Sequence, residues 1–226
     1  MTLALIAGCA SVGESTAPVV GGSETDNLRD RQPAPGSHRY QIVSGESEIR
    51  VLTFRDGPMA RFGHNHVVNS TRISGSVWLG DDLSAALTRI VVPTDSLSVD
   101  DPALRAEEGE QFADPIPEDA IAGTRANMLG DALLNAAQFN FIRVTCADYQ
   151  SQFELMSCEI DLAGVTTTLK MPVDVQIDDN QIRATGEVTV SHEQLGLTPF
   201  SAAGGAIRVA DGMTLRYNIL AQRLSE

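Results

Sequence analysis

From Tyr40 onward the chain alternates apolar and polar positions in short runs, the period of a β-strand with one dry face. The longest run sets Val165, Thr167, Leu169, Met171, Val173, Val175 and Ile177 against Thr166, Thr168, Lys170, Pro172, Asp174, Gln176 and Asp178. One face is apolar except at Thr167, which predicts an antiparallel sheet wetted on one side. Asp178-Asp179-Asn180 reads as a turn, after which Ile182, Ala184, Gly186, Val188 and Val190 repeat the pattern. A final strand with Met213, Leu215, Tyr217, Ile219 and Ala221 on one face is predicted to follow an Asp211-Gly212 turn. Ile49 and Val51, then Thr71, Ile73, Gly75, Val77 and Leu79, then Leu87 to Val92 before Pro93, supply shorter strands. Roughly eight to ten antiparallel strands describe a β-barrel or a β-sandwich.

The period changes between Pro102 and Ala137. Glu107, Glu108 and Glu110 with Pro115 and Pro117 predict a solvated excursion, and Ile121, Met128, Leu129, Leu133 and Ala137 are spaced as on a short helix or two. Glu118-Asp119 after Pro117 is a favourable helix start, since acids there face the positive end of the helix dipole.

The N-terminus speaks to address. Ile6-Ala7-Gly8-Cys9 closes a short apolar run and resembles a lipobox, although no basic residue precedes the run. Residues 1–8 are expected to be a signal peptide and Cys9 the lipidation site, with two kinds of acyl attachment giving stable anchoring. Ala10 in the following position fits sorting to the outer membrane, which makes the periplasm the expected compartment. Residues 9–37, rich in Gly, Ser, Thr, Pro and acids and without aromatics, read as a disordered tether; its r.m.s. span is on the order of 30 Å. The folded domain is expected over 38–226.

Composition narrows the function. A net charge of -14 in 226 residues repels nucleic acid and anionic lipid surfaces, so the lipid anchor is the expected link to a membrane. Cys146 and Cys158 flank a hairpin turn near Ser151-Gln152-Phe153 at equal distance, and in an oxidising compartment that favours a disulfide over two buried thiols. No Gly-x-Ser-x-Gly, phosphate-binding loop, CxxC or HExxH is present, so no catalytic residue is assigned. Histidine is the remaining chemistry. In Arg61-Phe62-Gly63-His64-Asn65-His66 the two imidazoles share a face if the backbone is extended, and His192 lies at a strand end. They suit either a polar ceiling over an apolar cavity or, as His64, His66 and His192, a metal.

Five pieces in order resemble the YceI-like family of lipocalin-like periplasmic β-barrels: Tyr40-x-Ile42, the Ser70 to Trp78 strand, Ala126-Asn127-Met128-Leu129 with Phe139-x-Phe141, Gly164 to Pro172, and Leu195 to Ser201. The resemblance spans about Tyr40 to Gln222, with Gly63-His64-Asn65-His66 marking a Gly-His-x-His branch. It implies an all-β, antiparallel up-and-down barrel of about eight strands, with a helical excursion around residues 115–137. It further implies carriage, without catalysis, of an isoprenoid, quinone-like or fatty-amide molecule in the lumen. Phe62, His64, His66, His192 and Phe200 are the expected ligand contacts; no cofactor is required beyond that lipid, with a histidine-bound metal as the alternative. Two departures stand out: the family's histidine after the first strand is absent from Val43 to Ser47, and its Arg-Asp-x-His-Leu is here Arg125-Ala126-Asn127-Met128-Leu129.

Overall fold

A seventeen-residue strand at the C-terminus organises the sheet. In the computed structural model, which describes residues 27–178 and 180–224, the strands are β1 (His38–Ile42), β2 (Glu48–Asp56), β3 (His66–Ser70), β4 (Ser74–Leu79), β5 (Leu87–Pro93) and β6 (Ser98–Val99). After helices α1 (Pro102–Glu107) and α2 (Glu118–Leu129) come β7 (Phe141–Gln150), β8 (Leu155–Leu162), β9 (Val165–Pro172), β10 (Asp174–Ile177), β11 (Gln181–Ser191), β12 (Ser201–Ala202) and β13 (Ile207–Arg223). All strand pairs are antiparallel. Among the described residues no helix is long and apolar enough to cross a membrane.

One edge of β13 pairs with β11 from Gly212 to Gln222. The other edge is shared: β2 takes Arg208 to Asn218 and β1 takes Ala221 to Arg223. The sheet therefore forks, one branch running β2-β3-β6 and the other β1-β4-β5-β7-β8-β9. The second branch wraps round until the chain leaving β9 pairs with β11 through the four residues of β10. This corrects the simple expectation of about eight strands in a closed ring: the sheet has thirteen strands and is not closed by a complete ladder. The mouth of the fork is covered by α2, whose Ile121, Met128 and Leu129 pack with Leu133 against Val68, Leu97 and Leu134. Arg125 ties this helix down by donating to the carbonyls of Leu97 (3.0 Å) and Asp95 (2.6 Å).

The alternating runs become the inner face. Met213, Leu215, Tyr217, Ile219 and Ala221 of β13, Met171, Val173 and Val175 across β9 and β10, and Ile182, Ala184 and Val190 of β11 all face the interior. The ends of the long run do not: Val165 and Ile177 are exposed, because they lie beyond the layer that the neighbouring strands cover. Ala163 and Gly164 turn β8 into β9 with positive φ at both positions (50° and 81°), as a tight type I′ hairpin turn needs. A side chain at Gly164 would run into the ring of Phe139, so two of the pieces that carry the resemblance meet here. Cys146 and Cys158 are register partners of β7 and β8 and form the disulfide. Asp178 Oδ1 accepts the N–H groups of Asn180 (3.0 Å) and Gln181 (2.9 Å), which holds the β10–β11 turn; Asp179 lies outside the described residues.

Three further expectations are corrected. Asp211-Gly212 does not reverse the chain: Val209 faces Arg55 and Met213 faces Thr53, so β13 takes up its surplus residues as a bulge and continues in the same direction. Residues 27–37 are not part of a free tether. Leu28 is buried against Leu87 and Ala147, its N–H donates to Glu159 (3.1 Å), and Arg29 binds Glu159 (2.7 Å) and Asp161 (3.0 Å). Cys9 and residues 10–26 lie outside the described residues. Finally, Glu108 is not solvated. Its carboxylate is buried between Arg50 (2.7 Å) and Arg216, and it stays ionised there because two guanidinium groups outweigh the cost of desolvation.

The seam between β9 and β11 depends on a missing side chain. Tyr217 sits opposite Gly186, crosses over it, and donates its hydroxyl to the carbonyl of Pro172. A Cβ at Gly186 would occupy the space of both groups. Gly186→Ala should therefore destabilise the protein by about 1–3 kcal/mol, the range for overpacking, read as a lowered Tm. Tyr217→Phe should cost about 1 kcal/mol by losing only the hydrogen bond.

Candidate functional site

The inner face encloses a cavity of about 830 Å³, within the size range of pockets for small organic ligands. Register gives it two different ends. At one end Ala221 pairs with Ile182 and with Ile42, and Val77 with Thr88, so the floor is built from Ile182, Ala221, Val77, Leu79 and Leu83. The middle carries Ile49, Val51, Val144, Ile160, Leu215 and the buried disulfide. At the other end Thr53 pairs with His66 and with Met213, and Arg55 with Val209. Following the inward positions of β2 thus passes from Ile49 and Val51 to Thr53 and Arg55, from dry to polar.

His64 and His66 both line the polar end, as the extended backbone at Gly63 (φ -102°, ψ 178°) and the i, i+2 spacing predict. Their ring centroids are 6.3 Å apart. His66, the first residue of β3, is fixed from behind by Asp100: Nδ1 donates to Asp100 Oδ2 at 2.6 Å. Asp100 is 1% exposed, and its second oxygen accepts from Arg105 Nη1 (2.6 Å) and from the Val67 N–H (2.9 Å). Burial works against its charge, but the bond from His66, the Val67 N–H and the Arg105 guanidinium hold its carboxyl below the usual range. Arg105 then donates to the carbonyls of Asn65 (2.8 Å), Phe112 (2.7 Å) and Asp114 (3.0 Å). Asn65 bridges Arg55 N–H (2.9 Å) and the Gln111 carbonyl (3.0 Å). The loop carrying the histidines is therefore bolted to β2 on one side and to the α1 region on the other.

His64 has a depressed pKa, first through burial and then through His66, Arg105 and Arg55, so it is neutral at neutral pH. Arg55 Nη1 donates to the Gly63 carbonyl at 3.0 Å. His192 also lines the cavity, where it is 4% exposed; its Nδ1 donates to the Asp211 carbonyl at 2.8 Å. Phe200 stands half-exposed on the rim, whereas Phe62 is outside the cavity, 57% exposed, with the Arg61 guanidinium over its ring. Phe62 is thus corrected as a lumen contact: the turn at residues 60–62 carries its ring outward before the chain enters β3.

The three cavity histidines do not make a metal centre in this arrangement. Among the described residues no group of three His, Cys, Asp or Glu side chains is placed to hold an ion. His66 and His192 each donate Nδ1 to an oxygen behind the ring and turn Nε2 toward the cavity. Sequence reasoning did not find Asp100, Arg105 or Arg55. Arg55 had a signal, lying two residues beyond Thr53 on the same strand face. Asp100 had none, because Asp100-Asp101-Pro102 reads as a helix start, and Asp101 does cap α1 by accepting from Ala103 and Leu104.

Asp100 makes stability depend on acid. Its pKa is lowered from the ordinary 3.8, so its contribution is complete above that value and is lost as pH falls through it toward the folded value. Melting of the wild type should accordingly fall below about pH 4. Asp100→Asn should lower stability at pH 7 by about 3–5 kcal/mol, the cost of breaking a buried pair, and should show a flatter acid limb in the same titration.

No protein-family model matches the sequence, and no curated protein matches it significantly. Solved structures do. A polyisoprenoid binding domain from Saccharophagus degradans, implicated in plant cell wall breakdown, superposes with a TM-score of 0.55 at 12% identity, over 82% of this chain and 98% of that one. Burkholderia cenocepacia BcnA gives 0.56 at 10% identity, over 80% and 99%. A variant of the Campylobacter jejuni YCEI protein gives 0.50 at 10% identity, over 70% and 85%. The forked antiparallel sheet, its helical excursion and these likenesses agree: the chain has the YceI-like fold shared with a polyisoprenoid binding domain.

Proposed function

We propose that this protein binds and carries, without catalysis, a long-chain apolar molecule of isoprenoid, quinone-like or fatty-amide type in the sheet-lined lumen. The observation that carries the reading is the cavity of about 830 Å³, whose floor and middle are lined almost entirely by aliphatic side chains contributed by nearly every strand. Apolar surface of this kind gains about 0.8 kcal/mol for each CH₂ taken out of water. The polyisoprenoid binding domain among the similar structures supports it. A catalytic use of the histidines has less support, since among the described residues neither His64 nor His66 is hydrogen-bonded to a hydroxyl or thiol. The Cys9 motif supports a carrier anchored by a lipid to the outer membrane on the periplasmic side.

Protein purified from the periplasm should release a long-chain molecule into organic solvent at close to one per chain by mass spectrometry. Filling the middle of the lumen with Val144→Trp and Leu215→Trp should abolish that yield while leaving the circular dichroism spectrum and disulfide intact. Repeated preparations with an empty lumen, and no uptake of an added fluorescent fatty probe, would sink the proposal. Cys9→Ala should move the protein from the membrane to the soluble periplasmic fraction.

A further inference from the structure

Among the described residues the lumen lining carries guanidinium groups and imidazoles but no carboxylate, although the chain as a whole is acidic. The sequence carries 30 Asp and Glu against 16 Lys and Arg, yet among the described residues no Asp or Glu lines the cavity, which presents Arg55 and Arg208 beside the imidazoles of His64, His66 and His192. The nearby acids stand outside or behind the lining. Asp56 is paired with Arg208 (2.7 Å), Asp100 lies behind His66 and is matched by Arg105 (2.6 Å), and Asp114 approaches Arg55 only to 4.0 Å from the solvent side.

Resting on the reading that the lumen holds a long chain, we infer that its occupant carries a compact anionic head, a carboxylate or a phosphate monoester, seated at Arg55, His64 and His66. The tail then runs along Val51 and Ile49 toward Ile182 and Leu83. Two observations bear on this. Arg55 is the inward-facing residue at the polar end of a strand face that begins with Ile49 and Val51, and the Gly63 carbonyl takes one N–H of its fork, which leaves others for a ligand. A guanidinium at the edge of an apolar cavity gains most from an anion, which its planar fork meets with two parallel bonds. His66 is held in register by an ionised carboxylate on Nδ1, so Nε2 is the nitrogen turned to the ligand. A neutral amide, alcohol or quinone head would leave the cationic fork with only the exposed Asp114 carboxylate, 4.0 Å away, as a counter-charge.

The test is a set of sixteen-carbon ligands that differ only in the head: palmitate, hexadecyl phosphate, hexadecanol and palmitamide. Each is titrated at pH 7.5, below its aggregation concentration, against delipidated full-length protein carrying a displaceable fluorescent probe. Palmitate or hexadecyl phosphate should bind tighter than the neutral pair by on the order of tenfold or more, and the better of the two names the head. Arg55→Gln should weaken palmitate and hexadecyl phosphate by more than it weakens hexadecanol and so erase that preference, and Arg55→Lys should restore part of it. Equal affinity for charged and neutral heads would overturn the anionic head while leaving the apolar lumen intact. Displacement of the probe by none of the four would overturn the long-chain reading and this inference with it.

Discussion

Because β13 is hydrogen-bonded along both edges, it decides where the rest of the sheet can go. β11 fills one edge, while β2 and β1 occupy successive stretches of the other. Two strands that follow one another on the same edge cannot also lie side by side, so their own neighbours diverge and the sheet forks. An open fork would wet the lumen. The segment from α1 to Leu134 covers it, packing Ile121, Met128, Leu129 and Leu133 onto Val68 and Leu97. The helical excursion is thus a consequence of the way β13 is shared, and the dry cavity is a consequence of both.

Within that frame the polarity gradient follows from one strand's alternation. The inward positions of β2 pass from Ile49 through Val51 and Thr53 to Arg55, and the loop beyond returns as β3 with His66 opposite Thr53. Holding the loop requires the buried set of Asp100, Arg105 and His66. A buried ion pair is weak support for net stability, since desolvation offsets much of its attraction. Its bonds show what it does instead: Asp100 takes the Val67 N–H and Arg105 donates to the Asn65 carbonyl, so the backbone on both sides of the histidines is held in one place. A hydrophobic substitute would fill the same volume and leave the imidazole free to turn.

Much of this could be read from the order of residues. Period-two runs located the strands, and the equal arms about Ser151–Phe153 located the disulfide. Reading failed where a residue's fate depends on a distant partner. Leu28 and Arg29 lie in a polar stretch without period, and their partner Glu159 is some 130 residues away. Glu108 looks like one acid among several until β2 and β13 bring Arg50 and Arg216 to it. Asp211-Gly212 has turn chemistry, but strand pairing on both sides of β13 converts it to a bulge. Local propensity proposes a turn there, and the ladder overrules it.

The likenesses to solved structures, at 10–12% identity, fix the sheet and leave its lining to each chain. Met128 adds to the apolar wall, and the polar groups of the lining gather at the β2–β3 connection. His66 and His192 each commit Nδ1 to an oxygen behind the ring, so each offers the lumen a single nitrogen, and Arg55 adds a cationic fork. His64 lines the same end. In the proposed carriage these groups orient one end of a ligand whose binding energy comes from the aliphatic remainder of the cavity, a division of labour in which the polar end sets direction and the apolar walls set affinity.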